Sequence, residues 1–222
     1  MIVWLASYPR SGNTLLRQIL RQVFCQETYS RYSEQNNLAR FPEVARMVGH
    51  VGYEGEWEHF YEKTMLSVDP CFIKTHEYPP DDQKTIYLVR DGRAATVSFF
   101  HFLHDLHQHA DVKMASVIEG RTRFGSWSGH LEAWRPLERP DTLLLQFEKL
   151  LLDPCDAIDQ LAAFTGLAAK GGWKNDLERL RDLFPGFFRD GSNEKNIAEL
   201  SPDDEKLFWD LHGRWMRRLG YG

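Results

Sequence analysis

Cysteine is scarce in this chain of 222 residues: Cys25, Cys71 and Cys155 are three, an odd number with no metal-ligand spacing among them. That excludes a disulfide-stapled scaffold and points to free thiols in a reducing compartment. Long apolar runs are missing too, and nothing approaches the roughly 20 residues of a membrane span. The N-terminal run Ile2-Val3-Trp4-Leu5-Ala6 is five residues long, too short for the apolar core of a signal peptide, so a cytoplasmic protein without a membrane partner is expected. There is no basic surplus either. A net charge of −5 and a pI near 6.0 argue against a nucleic-acid partner held by a broad positive surface. An anionic ligand must then be bound by a local cluster. Internal repeats and low-complexity tracts are absent, and no Gly-Lys-Ser/Thr closes a glycine turn, which rules out a Walker A loop.

What is present suits a compact enzyme. A content of 42% hydrophobic and 13% aromatic residues fills a substantial core, and the length fits one domain spanning 1–222. Apolar strand candidates at 2–6, 71–74, 85–89 and 142–147 alternate with segments of helical period near 13–24, 93–104, 127–138, 155–165 and 174–183. A last helix opens at Ser201-Pro202-Asp203-Asp204-Glu205 and runs to about Leu219, with a serine cap, a first-turn proline and acidic residues at its positive end. Alternation of this kind predicts an α/β fold: a central, largely parallel β-sheet flanked by helices. Residues 26–70 and 105–125 are polar and mixed, and they read as mobile segments over an acceptor site.

Three segments carry chemistry. Ser7-Tyr8-Pro9-Arg10-Ser11-Gly12-Asn13-Thr14 follows the first strand directly and opens a helix, whose first-turn N–H groups and positive dipole end make an anion cradle. Arg10, Ser11 and Thr14 add charge and donors, and Gly12 lets the backbone come close. Cys71-Phe72-Ile73-Lys74-Thr75-His76 delivers a lysine and a histidine two residues apart, hence on one face of a strand. The third, Tyr87-Leu88-Val89-Arg90-Asp91-Gly92, runs into a helix containing Ser98.

Taken together, and with Gly125-Ser126-Trp127, His130 and Trp134 further on, the chain resembles the PAPS-dependent sulfotransferases, in order and over most of its length, and the resemblance implies a P-loop-like nucleotide-binding architecture. The resemblance implies that Arg10, Ser11, Gly12, Asn13 and Thr14 bind the 5′-phosphosulfate of 3′-phosphoadenosine 5′-phosphosulfate (PAPS). It implies that Arg90 and Ser98 bind the 3′-phosphate, that Lys74 and His76 are catalytic, and that 3′-phosphoadenosine 5′-phosphate (PAP) is the product. Arg10 takes the place of the family's usual lysine. Leu15 stands where many members stack a tryptophan on adenine, leaving Phe147 as a candidate for that contact. Arg189 and Gly191 match the ends of the family's Arg-Lys-Gly run, with Asp190 in place of the lysine.

The implied reaction moves a sulfuryl group to a hydroxyl or amine of a small-molecule, sugar or natural-product acceptor. Charge builds on the bridging oxygen of the departing phosphate, which asks for a point cation such as Lys74. The acceptor must lose a proton, and an imidazole such as His76, with an ordinary pKa near 6.5, can take it. No metal is required, unlike the kinases. A P-loop-like kinase and a nucleotide-binding protein without transfer activity are the alternatives. His101, His104, His107 and His109 share a region and could suggest a metal site, yet without a partnering cysteine or carboxylate cluster a lining of the acceptor pocket is the better reading, and a packed or solvated helix face the simplest.

Overall fold

The computed structural model describes residues 1–32, 41–106, 111–183 and 192–222. The chain forms two compact units, each assembled from three separate stretches. The first unit comprises Met1–Ser7, Gly12–Leu88 and Pro136–Asn175. Its sheet has five strands, β1 (Ile2–Ala6), β2 (Thr28–Ser30), β3 (Cys71–Thr75), β4 (Lys84–Val89, of which Val89 belongs to the second unit) and β5 (Thr142–Gln146), in the order β2-β3-β1-β4-β5. The pairs β1·β3, β1·β4 and β2·β3 are parallel. Every residue of β1 is buried, as an apolar strand paired on both edges and covered on both faces must be.

Helix α1 (Asn13–Phe24) leaves β1 through a turn in which Gly12 adopts φ 97°, the left-handed region that glycine alone enters without strain. It ends where the Cys25 N–H bonds the Leu20 carbonyl. The unit also contains α2 (Pro42–Met47), α3 (Trp57–Met65), α7 (Phe147–Leu152) and α8 (Pro154–Thr165). α3 lays Trp57 and Tyr61 against Trp4, and Asp81 accepts from Trp4 Nε1 at 2.8 Å and Tyr61 Oη at 2.6 Å.

The segment 26–70, read from sequence as mobile, contains a strand and two helices among its described residues. β2 escapes the apolar-run criterion because Thr28-Tyr29-Ser30 is short and polar. Its place is held by the buried Arg17, whose Nε donates to Thr28 Oγ1 at 2.8 Å. The strand expected over 142–147 stops at Gln146, and Phe147 opens α7.

The second unit comprises Tyr8–Ser11, Val89–Arg135 and Asp176–Gly222. α4 (Gly92–His101) passes into a π-helical turn, Phe102–Leu106, where one continuous helix to 104 is the sequence expectation. α5 (Met114–Ile118), α6 (Trp127–Trp134), α9 (Leu177–Leu183), α10 (Asn193–Ile197) and α11 (Pro202–Arg218) complete it. α6 ends earlier than its expected residue 138 because Arg135 turns into the left-handed region at φ 44°. A Cβ on Gly92 would press on Trp127 and Phe208, so that glycine is what lets α6 and α11 close on the start of α4. Among the described residues no helix is long and apolar enough to cross a membrane.

Candidate functional site

In the first unit the register of the sheet decides which side chains meet. β3 places Lys74 opposite Leu5 of β1 and Ser30 of β2. Two residues on, the same register sets Ser7, His76 and Tyr32 abreast, just past the strand ends. His76 Nδ1 lies 2.8 Å from the Ser7 carbonyl oxygen and 3.3 Å from Ser7 Oγ. A carbonyl oxygen has no hydrogen to give, so Nδ1 carries the proton of the neutral ring and Nε2 is its basic nitrogen. The backbone N–H of His76 donates to the Tyr32 hydroxyl at 2.6 Å, and the two rings stack with centroids 5.9 Å apart. Lys74 Nζ lies 5.1 Å from the centre of the same Tyr32 ring. Sequence spacing found Lys74 and His76. Ser7 and Tyr32 are visible only once the strands are paired.

The cradle residues of this unit have distinct parts. Asn13, buried, donates from Nδ2 to the Leu5 carbonyl at 2.9 Å and to Ser7 Oγ at 3.3 Å, tying the end of β1 to the start of α1. Its Oδ1 is buried with no hydrogen-bond partner among the described residues. Asn13 and half-buried Thr14 are the first residues of α1, so their N–H groups have no intrahelical acceptor. The space that a Cβ on Gly12 would take is filled by the Phe147 ring and Leu88. Gly12 thus admits the Phe147 ring, which packs beside the loop.

The second unit gathers the other cations. Arg10 is a non-glycine residue at φ 67°, a conformation that favours sites where backbone direction matters. That turn lets its carbonyl accept from Arg90 Nη1 at 3.1 Å while its Nε donates to Ser98 Oγ at 3.2 Å, with the guanidinium 5.5 Å from the centre of the Phe102 ring. Arg90 is 4% exposed and also donates from Nε to Asn193 Oδ1 at 2.8 Å. Sequence reading gives Asn193 no role of its own. Ser11 Oγ is buried and has no hydrogen-bond partner among the described residues. A donor left unpaired in a loop that also carries Arg10 suits a phosphate oxygen, which accepts and brings opposite charge.

Arg189 and Gly191 lie outside the described residues, as do His107 and His109. His101 Nε2 meets Glu199 Oε2. Among the described residues no group of three or more His, Cys, Asp or Glu side chains is placed to hold a metal ion. Cys71, on the same strand as Lys74, has its thiol pushed up to about 11 by burial, which leaves it protonated and unsuited to act as a nucleophile.

A model of the sulfotransferase domain family matches residues 2–185. Sulfotransferase 1B1 of Mus musculus is 25% identical over 174 residues, covering 72% of this chain and 56% of its own length. Sulfotransferase 2B1 of Homo sapiens is 24% identical over 170 residues, covering 74% of this chain and 46% of its own. The chain spans about half the length of these curated relatives. Among solved structures, mouse sulfotransferase SULT7A1 complexed with PAP has a TM-score of 0.67 at 20% identity, over 97% of this chain and 83% of that one. Retinol dehydratase in complex with androsterone and PAP gives 0.64 at 18% identity, over 97% and 80%. The structural likeness establishes a shared α/β fold, and the family match extends through both the Lys74-Thr75-His76 and the Arg90…Ser98 segments: the chain belongs to the sulfotransferase domain family.

Proposed function

We propose that this chain transfers a sulfuryl group from PAPS to a hydroxyl or amine of a small-molecule, sugar or natural-product acceptor. The observation that carries the reading is the 2.8 Å contact of His76 Nδ1 with the Ser7 carbonyl, just past the end of the strand that delivers Lys74. It favours the tautomer protonated on Nδ1, which supports Nε2 as the base. His76 Nε2 takes the proton of the acceptor O–H or N–H as that atom becomes nucleophilic. Lys74 supplies a point cation for the charge that collects on the leaving phosphate oxygen. PAPS, when bound, supplies the sulfuryl group and a leaving phosphate that needs no metal to depart.

Binding divides over the cradle. Ser11, Gly12, Asn13 and Thr14 hold the 5′ end through helix-terminal N–H groups and hydroxyls. Arg90 and Ser98 hold the 3′-phosphate, and the contact of Arg10 with Ser98 supports placing the Arg10 guanidinium in that group as well. Phe147, fixed against Gly12, is the aromatic side chain offered to adenine, and Arg189 and Gly191 are further 3′-phosphate candidates.

The test is calorimetric titration with PAP, AMP and ATP in EDTA, followed by transfer assays. PAP binding that exceeds AMP binding without metal, and transfer that falls ~10²–10⁴-fold in His76→Ala with PAP affinity retained, is the expected result. A preference for ATP that appears only with Mg²⁺ would return the kinase reading. PAP binding with no transfer to any acceptor would leave a nucleotide-binding protein.

A further inference from the structure

We propose that Tyr32 is a positioning residue for both reactive side chains, holding Lys74 and His76 in one mutual geometry. The proposal rests on the transfer reading above for what that geometry accomplishes, while the contacts that motivate it stand on the sheet alone.

The argument begins with register. β2 pairs with β3 so that Thr28, Tyr29 and Ser30 lie against Phe72, Ile73 and Lys74. In a parallel pair, residues in register point their side chains to the same face, so Tyr32 falls beside His76 on the face that carries Lys74. β3 ends at Thr75, where the Ser7 N–H still reaches the Thr75 carbonyl at 3.4 Å. His76 is the first residue beyond the regular ladder, and a residue there loses the strand's own hold on its orientation.

Tyr32 replaces that hold. Its hydroxyl oxygen accepts the His76 backbone N–H at 2.6 Å, its ring lies nearly parallel to the imidazole at 26°, and its face takes the Lys74 ammonium at 5.1 Å. The Ser7 carbonyl and hydroxyl hold the His76 ring itself through Nδ1. Few side chains could do all of Tyr32's work: phenylalanine lacks the acceptor oxygen, tryptophan only donates, and serine has no ring face for the cation. The backbone contact fixes where the imidazole starts, the stack fixes the plane in which Nε2 lies, and the ring face fixes the cation beside it.

The experiment uses the full chain with Tyr32→Phe and Tyr32→Leu and reads two quantities. Nitrogen NMR of histidine-labelled protein, with His76→Gln to assign its resonances, reports the His76 tautomer whether or not the chain is active. Wild type is expected to show His76 protonated on Nδ1, and Tyr32→Leu a mixture of tautomers. Steady-state kinetics are expected to show kcat lowered ~10–100-fold in Tyr32→Leu, as for a misplacement of about an ångström. PAP affinity should stay within about twofold. Tyr32→Phe, which keeps the stack and the cation–π face and loses only the oxygen, is expected between the two, and it serves as the folding-competent variant should leucine fail to fold. Unchanged His76 resonances and unchanged kcat in both variants would overturn the proposal. Altered resonances in a chain that transfers to no acceptor would uphold the positioning role and sink the transfer reading instead.

Discussion

Arg10 shows how one backbone angle assigns a side chain its work. A lysine at this place would reach forward as a flexible point charge, whereas the guanidinium is a planar fork that can serve two acceptors at once. With φ at 67°, Arg10 offers its carbonyl to Arg90 and its Nε to Ser98, so two cations and a hydroxyl share one locality. In the proposed reading that locality takes the 3′-phosphate, with Arg10 beside Ser98. Arg10→Gln is therefore expected to weaken PAP about 10–100-fold, the worth of one charge-assisted hydrogen bond. AMP, which has no 3′-phosphate, should change by less than about twofold. Calorimetry on the two nucleotides checks this, and equal weakening of both would place Arg10 at the 5′ end. At this scale the sequence was informative wherever spacing alone sets geometry: Lys74 and His76 share a face because a strand repeats every two residues. It was silent on Ser7, Tyr32 and Asn193, which gain their roles from strand pairing or from a contact 103 positions away in the chain.

Among the elements, the meeting of α5, α6 and α11 contains a buried titratable group with a measurable signature. His212 is 2% exposed, donates from Nε2 to the Ile118 carbonyl at 2.9 Å, and accepts at Nδ1 from Ser128 Oγ at 2.7 Å. Both nitrogens are satisfied by the neutral ring, and burial holds its pKa below the usual histidine value. The unfolded chain therefore binds a proton near pH 6.5 that the folded chain does not. Stability is present in full above about 6.5 and is lost as the pH falls from there towards the lowered folded value. His212→Gln should lower the melting temperature at pH 7.5 and flatten its decline between pH 7 and 5, as thermal unfolding followed across that range will show. A variant as acid-sensitive as wild type would assign the decline to other groups. Elements with strong periodicity, such as α1 and α11, were legible from sequence with nearly their observed bounds. β2 was not, because three polar residues give no apolar period. α7 was missed altogether because Leu143-Leu144-Leu145-Gln146-Phe147 runs from strand to helix without a glycine or proline to mark the change.

On the scale of the whole molecule, the net charge of −5 means that the long-range field opposes an anionic nucleotide and that local cations must overcome it. Binding should therefore register as folding stability. At a PAP concentration of about 100 times Kd, linkage adds about 2.7 kcal/mol, a rise of several degrees in melting temperature. The rise should persist in EDTA and shrink in Arg90→Ala, and differential scanning fluorimetry suffices to see it. A rise that needs Mg²⁺ would contradict the metal-free reading.

The interleaving of the two units bears on how the chain is made. Neither unit is a contiguous piece of sequence, so no truncation yields either one intact, and a deletion series would cut both together. On the ribosome, the first unit has its stretch to Leu88 early but waits for Pro136–Asn175 to bring β5, α7 and α8. At ordinary elongation rates that interval is roughly 2–10 seconds. Throughout it the β4 edge of the sheet stands without its β5 neighbour, which makes nascent-chain aggregation, relieved by chaperones, the vulnerability to expect when this protein is produced.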